Sequence, residues 1–376
     1  MTEPHCGSCG AVAAGPAAWR CEGCGSPLDL DLPAATVAAF ADEGTTGVWR
    51  YRGWLPPGDP VTLGEPQTGL IPLADEQHGS FAKLESELPT GSFKDRGATV
   101  TVSWLRARGV REIVIDSSGN AGASFAAYAA RTGMPARVFV PAGASPAKLL
   151  QIRAHGATVV PVRGPRSASA DAARAFVVEA GPNAIYASHL WQPAFLAGTA
   201  TFAYEVFEQL GRQAPDAVVA PLGGGTLLLG MHLGFARLRT AGLIARVPRL
   251  VGVQSSACAP LARAFRAGDP DVLEAEVGAT IAEGIVIARP PRARQILAAV
   301  RETGGDIIEV TDDEIRSSLR RLLAQGLFVE PTSAAAHAGI GQADRQHERV
   351  VVALTGHGLK ALGAISELTA GAGRPR

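Results

Sequence analysis

Glu112-Ile113-Val114-Ile115-Asp116-Ser117-Ser118-Gly119-Asn120-Ala121-Gly122 is the stretch on which the fold turns. It opens on an apolar run with the length and composition of a buried parallel strand. The run passes directly into a loop of small residues, then into the alanine-rich helix Ala123 to Arg131. Strand, small-residue loop and helix in that order hold an anion on free backbone N–H groups. Ser117 and Ser118 add hydroxyl donors, and the Asn120 amide suits a phenolic oxygen. A plain βα turn has the same composition, so the rest of the chain must decide.

Downstream the alternation continues. Arg137 to Val140 reads as a strand, Pro146 to His155 as a helix, Thr158 to Val162 as a strand and Ala170 to Ala180 as a helix. This is a doubly wound α/β pattern, with 111–190 as one compact lobe. A second strand–loop–helix follows at Ala217 to Pro221, Leu222-Gly223-Gly224-Gly225-Thr226 and Leu227 to Thr240. Three glycines at such a junction let backbone amides close on a phosphate, with Thr226 adding a hydroxyl. Leu228 stands where a dinucleotide fingerprint needs its third glycine, and no Lys-Ser or Lys-Thr follows as in a P-loop. A glycine turn needed only for packing is the bland alternative. Leu250 to Gln254 and Val350 to Leu354 are further buried strands, the last leading into Thr355-Gly356-His357-Gly358-Leu359-Lys360. Thr311 and Glu314 form a capping-box pattern for a helix Asp312 to Gln325.

Upstream stands Pro89-Thr90-Gly91-Ser92-Phe93-Lys94-Asp95-Arg96-Gly97, a loop tightening into a helix start. Thr90 or Ser92 can cap, and Asp95 suits a first turn. A lysine cation is disfavoured at a helix N-terminus, which suits an amine that works neutral, in a Schiff base or proton abstraction. The chain has only Lys83, Lys94, Lys148 and Lys360 against thirty-one arginines. Arginine neither loses its proton nor forms an imine, so a lysine needed for chemistry resists replacement.

The 376 residues predict two domains with a small appendage. Acidic and basic residues balance at 35 each, which leaves no electrostatic footprint for nucleic acid or anionic membrane. Met1 to His5 lacks a signal-peptide profile. Ala217 to Ala236 carries no charge but is broken by Pro221 and the glycines, so strand, loop and buried helix explain it better than a membrane span. The expected location is the cytoplasm.

Cys6-x-x-Cys9 and Cys21-x-x-Cys24, each followed by glycine, have the spacing of two knuckles offering four thiolates to one tetrahedral zinc. With no open position, the metal would be structural. The reading favours zinc over metal-free thiols, and Cys258 reads as a buried small apolar residue. A helix is expected over Thr36 to Glu43, then an irregular wrap through Pro56, Pro57, Pro60 and Pro66, and a strand over Phe81 to Glu85. The tail after Thr369 reads as loose.

Together the Lys94 block, the Ser118-Gly119-Asn120 loop, the triple glycine and the Thr355 block resemble fold-type II pyridoxal-phosphate enzymes. Pro89 to Gly97, Thr355 to Lys360 and Glu330-Pro331-Thr332-Ser333-Ala334-Ala335 are most similar to the threonine synthases, some of which carry an N-terminal cysteine cluster. The resemblance implies two doubly wound α/β domains of the tryptophan synthase β-like type behind a cysteine knuckle. The knuckle would be 1–30, the cofactor domain 31–110 with 191–376, and the small domain 111–190. It implies that Lys94 forms the internal aldimine and shuttles protons. Phe93, Asn120, Leu222, Gly223, Gly224, Gly225, Thr226 and Thr355 would contact the cofactor, Asn120 at its phenolic oxygen, Gly223 to Thr226 at its phosphate and Thr355 at its pyridine nitrogen. Ser117, Ser118, Gly119 and Ala121 would hold the substrate carboxylate, and Lys148 or Arg153 its phosphate. The family also makes Thr99-Val100-Thr101-Val102, a strand by propensity, part of the helix starting near Lys94.

The expected activity is conversion of O-phosphohomoserine and water to threonine and phosphate by a homodimer. Ser117 to Gly122 and Ala282-Glu283-Gly284 resemble the serine and threonine dehydratases more, so a dehydratase, a cysteate synthase-like β-replacement enzyme or a specialised biosynthetic paralogue is the alternative. A non-catalytic amino-acid sensor with a partner-docking knuckle is the rival from another class, and an intact Lys94 and Asn120 argue against it.

Overall fold

The computed structural model describes residues 3–13, 15, 18–74, 79–273, 276–343 and 348–370. The strands are β1 (Leu70–Pro72), β2 (Ser80–Lys83), β3 (Glu112–Ile115), β4 (Ala136–Pro141), β5 (Thr158–Val162), β6 (Ala184–Tyr186), β7 (Ala217–Pro221), β8 (Arg249–Ser255), β9 (Asp306–Val310) and β10 (Val350–Ala353). The helices used below are α1 (Lys94–Ala107), α2 (Asn120–Thr132), α3 (Pro146–Ala154), α4 (Arg166–Ala180), α5 (Pro193–Gln209), α6 (Thr226–Thr240), α7 (Pro260–Ala267), α8 (Ala293–Glu302), α9 (Asp312–Ala324) and α10 (Pro331–Ala338). The loose tail expected after Thr369 lies outside the described residues from 371 onward.

The chain divides into two compact units, Met1–Gln67 with Lys94–Thr201, and Thr68–Phe93 with Phe202–Arg376. The lobe expected over 111–190 thus sits inside a larger unit that also takes in the knuckle, 31–67, 94–110 and 191–201. Packing explains the grouping. A side chain at Gly198 of α5 would meet the Arg96 carbonyl oxygen at 2.0 Å, and one at Gly97 would meet the Phe195 ring at 2.4 Å. The Ser124 hydroxyl on α2 donates to Asp95 of α1 at 2.6 Å.

The first unit carries a four-stranded parallel sheet in the order β5-β4-β3-β6. Ile113, Val114, Ile115, Val138 and Val140 are fully buried, as an all-parallel sheet covered on both faces requires. The second unit carries a six-stranded sheet in the order β1-β2-β10-β7-β8-β9, parallel except for β1. Its core joins Val219, Val251, Val253, Val350 and Val352 to Leu319, Leu322 and Ala335 from α9 and α10. Thr311 and Glu314 make the expected capping box. The uncharged stretch from Ala217 is β7, a loop and α6, and no described helix is long and apolar enough to cross a membrane.

Three local expectations change or resolve. Thr99 to Val102 is helical, within α1, because buried hydroxyls are absorbed locally: Thr101 donates to the Gly97 carbonyl at 2.7 Å and Ser103 to the Thr99 carbonyl at 2.7 Å. The helix expected over Thr36 to Glu43 shrinks to a 3₁₀ turn at Val37–Ala39. Its first carbonyl, Thr36, accepts the Ala39 N–H at 3.2 Å, in the i to i+3 pattern of a 3₁₀ turn, and also the Trp54 indole N–H at 3.0 Å. Ser92 does not cap α1, since its buried hydroxyl has no hydrogen-bond partner among the described residues.

In the second unit Lys83 is fully buried and donates to Glu205 at 2.7 Å, the Thr68 carbonyl at 2.6 Å and Gln209 at 2.8 Å. Removing one partner strands the other charge in the core. Lys83→Met is expected to cost about 3–5 kcal/mol in urea unfolding, and adding Glu205→Leu to recover most of it.

Candidate active site

In an open parallel sheet ligands bind past the C-terminal strand ends where strand order reverses. In the first unit the chain runs β3, β4, β5 outward and then returns to place β6 on the other side of β3. The reversal falls between β3 and β6, so the loops after these strands flank it. The first is Ser117 to Gly119, the predicted carboxylate loop; the second, 187–192, went unrecognised in the sequence. Gly119 is the N-cap of α2, and a side chain there would meet nothing within 4 Å. Gly122 is forced, because its α-carbon lies under the Ser117 carbonyl and a Cβ would stand 2.0 Å from that oxygen. The loop therefore curls over the start of α2, with Ser117 accepting the Gly119 N–H at 3.3 Å. Asn120 and Ala121 are the first two residues of α2.

Lys94 is the first residue of α1, half-buried, with its Nζ 5.9 Å from the centre of the Phe195 ring. Asp95 beside it is fully buried against Ser124, one turn beyond Asn120, so the first turns of α1 and α2 are pinned to each other. Arg96 is also buried and donates to Thr201 at 3.1 Å. Nearby, Tyr128 donates to Glu65 at 2.6 Å; burial, then the charges of Asp95 and Glu65, keep its phenol protonated. Lys148 and Arg153 lie exposed on α3, and Ile152 between them packs toward Gly122.

The second unit repeats the logic. Strands β7, β8 and β9 run outward and β10 returns to the other side of β7. The flanking loops are Leu222 to Gly225 after β7 and Leu354 to Gly358 after β10, both found in the sequence. Gly225, at φ +75°, is the N-cap of α6 and lies against Ile296, while the α-carbon of Gly223 lies against Ile285. Packing thus forces glycine at both positions and leaves the α6 N-terminus without a side-chain cap, a ready anion site. Thr226 opens α6 and is buried. The Leu222 side chain packs on Gly252, and its N–H and carbonyl bond Val253 and Gln254.

After β10, the Thr355 hydroxyl is buried 3.3 Å from that of Ser333 on α10, which accepts the Gly356 N–H at 3.0 Å. The Phe93 N–H donates to the Thr355 carbonyl at 3.0 Å, His357 N–H donates to the Gly91 carbonyl at 3.0 Å, and Ser92 bridges Gly356. The segment delivering the chain to Lys94 is therefore hydrogen-bonded along the Thr355 loop. Sequence reading singled out the Glu330 to Ala335 run without assigning Ser333 this contact.

At the N-terminus the four cysteine sulfurs lie within 4.8 Å of one another, with Cys6–Cys24 and Cys9–Cys21 both at 3.5 Å. Tetrahedral zinc with bonds of about 2.3 Å holds sulfurs roughly 3.8 Å apart, so the cluster fits that ion. The Ser26 hydroxyl and N–H hold the Cys24 thiol down at about 6. The Ala11 N–H favours a Cys9 thiolate, but the sulfurs of Cys21, Cys6 and Cys24 push Cys9 up to about 12. One thiolate suppressing the next is how a donor set behaves before a cation neutralises it. Cys258 is buried outside the cluster, as expected.

Residues 61–356 match the family described as "Pyridoxal-phosphate dependent enzyme". The chain belongs to the pyridoxal-phosphate dependent enzymes. A threonine synthase of Methanocaldococcus jannaschii is 36% identical over 84% of this chain and 80% of its own length. One of Methanosarcina acetivorans is 33% identical over 96% of this chain and 92% of its own. Among solved structures, a threonine deaminase of T.th. superposes with a TM-score of 0.63 at 30% identity, over 74% of this chain and 87% of that one. Within the second unit, the uncapped start of α6 suits a phosphate and the buried Thr355 hydroxyl a ring nitrogen; within the first, the Lys94 amine suits an aldehyde.

Cobalt offered to metal-free protein is expected to bind one ion per chain and give the visible bands of a tetrahedral thiolate site. Cys21→Ser should abolish them and Cys258→Ser leave them intact.

Proposed function

We propose that the enzyme is a threonine synthase, converting O-phosphohomoserine and water to threonine and phosphate. The observation that carries this reading is the similarity, over nearly the whole of both chains, to a relative named threonine synthase. Bound pyridoxal phosphate supplies an electron-withdrawing ring that drains charge from the substrate's α-carbon. Lys94 carries the cofactor and moves the protons at the α- and β-carbons, and its place at a helix N-terminus favours the neutral amine that this needs. Gly223, Gly224, Gly225 and Thr226 hold the cofactor phosphate, with Leu222 and Phe93 as its apolar surroundings. Asn120 bonds the phenolic oxygen and Thr355 the ring nitrogen. A hydroxyl at that nitrogen does not stabilise its protonated form as a carboxylate would, which suits elimination and replacement over transamination.

Ser117, Ser118, Gly119 and Ala121 take the substrate carboxylate, on backbone N–H groups at the start of α2. Lys148 or Arg153 takes its phosphate. Phosphate leaves from the γ-carbon and water adds at the β-carbon, so atoms balance without a further reactant. The same reading places the enzyme in the cytoplasm as a homodimer, the usual setting of the enzymes its motifs resemble; light scattering checks the second point. A serine or threonine dehydratase is the second reading, favoured by the 30% identity to the threonine deaminase.

Cofactor-loaded protein is expected to release phosphate from O-phosphohomoserine and form threonine, and Lys94→Ala to lose the visible cofactor band and at least about 10⁴-fold of the rate. A lysine-dependent band without phosphate release, but with 2-oxo acid formed from serine or threonine, would overturn the synthase in favour of the dehydratase.

A further inference from the structure

The cysteine knuckle has no part in the chemistry above, yet it is not an isolated appendage. Its own core is minimal, Cys6, Cys21 and Leu28 with Ala13 and Ala18 against them, and among its described residues it holds only isolated bridges such as His5 with Val12 and Arg20 with Pro27. So small a core cannot order the segment alone, and metal binding is its folding energy. Between the two cysteine pairs stands Trp19, 7% exposed. Its ring meets Tyr186 edge-on at 4.9 Å and Trp191 edge-on at 5.0 Å.

Those two aromatics bracket the turn after β6, at the strand-order reversal of the first sheet. The turn is closed by its own bonds: Trp191 and Gln192 N–H groups donate to the Ser188 carbonyl at 2.9 and 3.0 Å, and the Gln192 side chain donates to the Tyr186 carbonyl at 2.8 Å. The Phe195 N–H then donates to the Gln192 carbonyl at 3.2 Å. Phe195 is fully buried, lies against the α-carbon of Gly97, and carries Lys94 Nζ over its ring. His189, half-buried on the same turn, sits edge-on to Phe195 at 5.6 Å. The contacts run unbroken from indole to turn to Phe195 to the first turn of α1.

We propose that Trp19 is a positioning residue through which the metal-bound knuckle holds the turn 186–192, Phe195 and the first turn of α1, and so sets where Lys94 stands. The knuckle is then a brace on the working lysine, and losing its metal displaces that lysine while both sheets stay folded. Shape carries the argument: the rings fit edge to face, a contact that another aromatic keeps and alanine does not.

The test is hydrogen exchange on the full-length, zinc- and cofactor-loaded protein, comparing wild type, Trp19→Ala, Trp19→Phe and chelator-treated wild type. Exchange is expected to rise about tenfold over 186–198 and over 94–99 in Trp19→Ala and after chelation. Trp19→Phe should stay close to wild type, and β7, β8 and β10 should be unaffected throughout. In Trp19→Ala the visible cofactor band should persist but respond to amino-acid substrate only at about tenfold higher concentration. Extra exchange confined to 3–30, with 94–99 unchanged, would overturn the proposal. If Trp19→Ala fails to fold, Trp19→Phe and the chelated wild type decide on the same segments. The exchange readout does not use the cofactor's absorbance, so absence of the band would tell against Lys94 as its carrier and leave this result standing.

Discussion

Every strand of a parallel sheet ends at the same edge, and each is followed by a helix whose first N–H groups lack partners. Where strand order reverses, neighbouring connections diverge and leave those N–H groups facing open space. Both sheets of this enzyme reverse once, and each of the named anion loops is found at a reversal. Glycine does two jobs there. Gly119 and Gly225 give helix starts without a capping side chain, and Gly122, Gly223 and Gly225 let neighbouring groups approach where no Cβ fits. At Gly225 the packing explanation and the binding explanation are one, since the contact with Ile296 is what leaves the start of α6 without a cap; at Gly119 no neighbour forbids a side chain, and packing acts three residues on, at Gly122.

The scarcity of lysine marked four positions, and at two of them, Lys83 and Lys94, the structure gives different settings. Lys83 survives for geometry. Three acceptors, from Thr68, Glu205 and Gln209, surround its ammonium in a closed core pocket. A compact head with three donors satisfies them where a planar guanidinium would not fit. Lys94 stands half-buried at a helix start beside a carboxylate already committed to Ser124, and its reason under the proposed function is chemical. Composition alone draws no line between these cases, since both are lysines that arginine cannot replace.

Legibility followed the same physics. Strands β3, β7 and β10 and their loops were readable because a buried parallel strand is a short apolar run with abrupt ends. Strand β6 has three residues, too few to form a pattern. Helix α5 is buried almost all round, so it has no polar stripe and no 3.6-residue period to detect. With both missed, the turn between them, carrying Ser188 and His189 to the reversal beside β3, was invisible. Thr36 to Glu43 failed for the opposite reason: its pattern was helical, but the Thr36 carbonyl shares itself between the Ala39 N–H and the indole of Trp54 on another segment. Contacts of that kind have no signature in a local window.

The docking of Trp19 also has a meaning in time. The cysteine segment carrying Trp19 is made early, whereas Tyr186 and Trp191, which cover the indole, are made much later. At roughly 5–20 residues per second of synthesis, the indole faces water for on the order of ten seconds before its landing site exists. A nascent chain of this enzyme thus carries an exposed indole ahead of an unfinished body, and the contacts of Trp19 with Tyr186 and Trp191 wait for the two to meet.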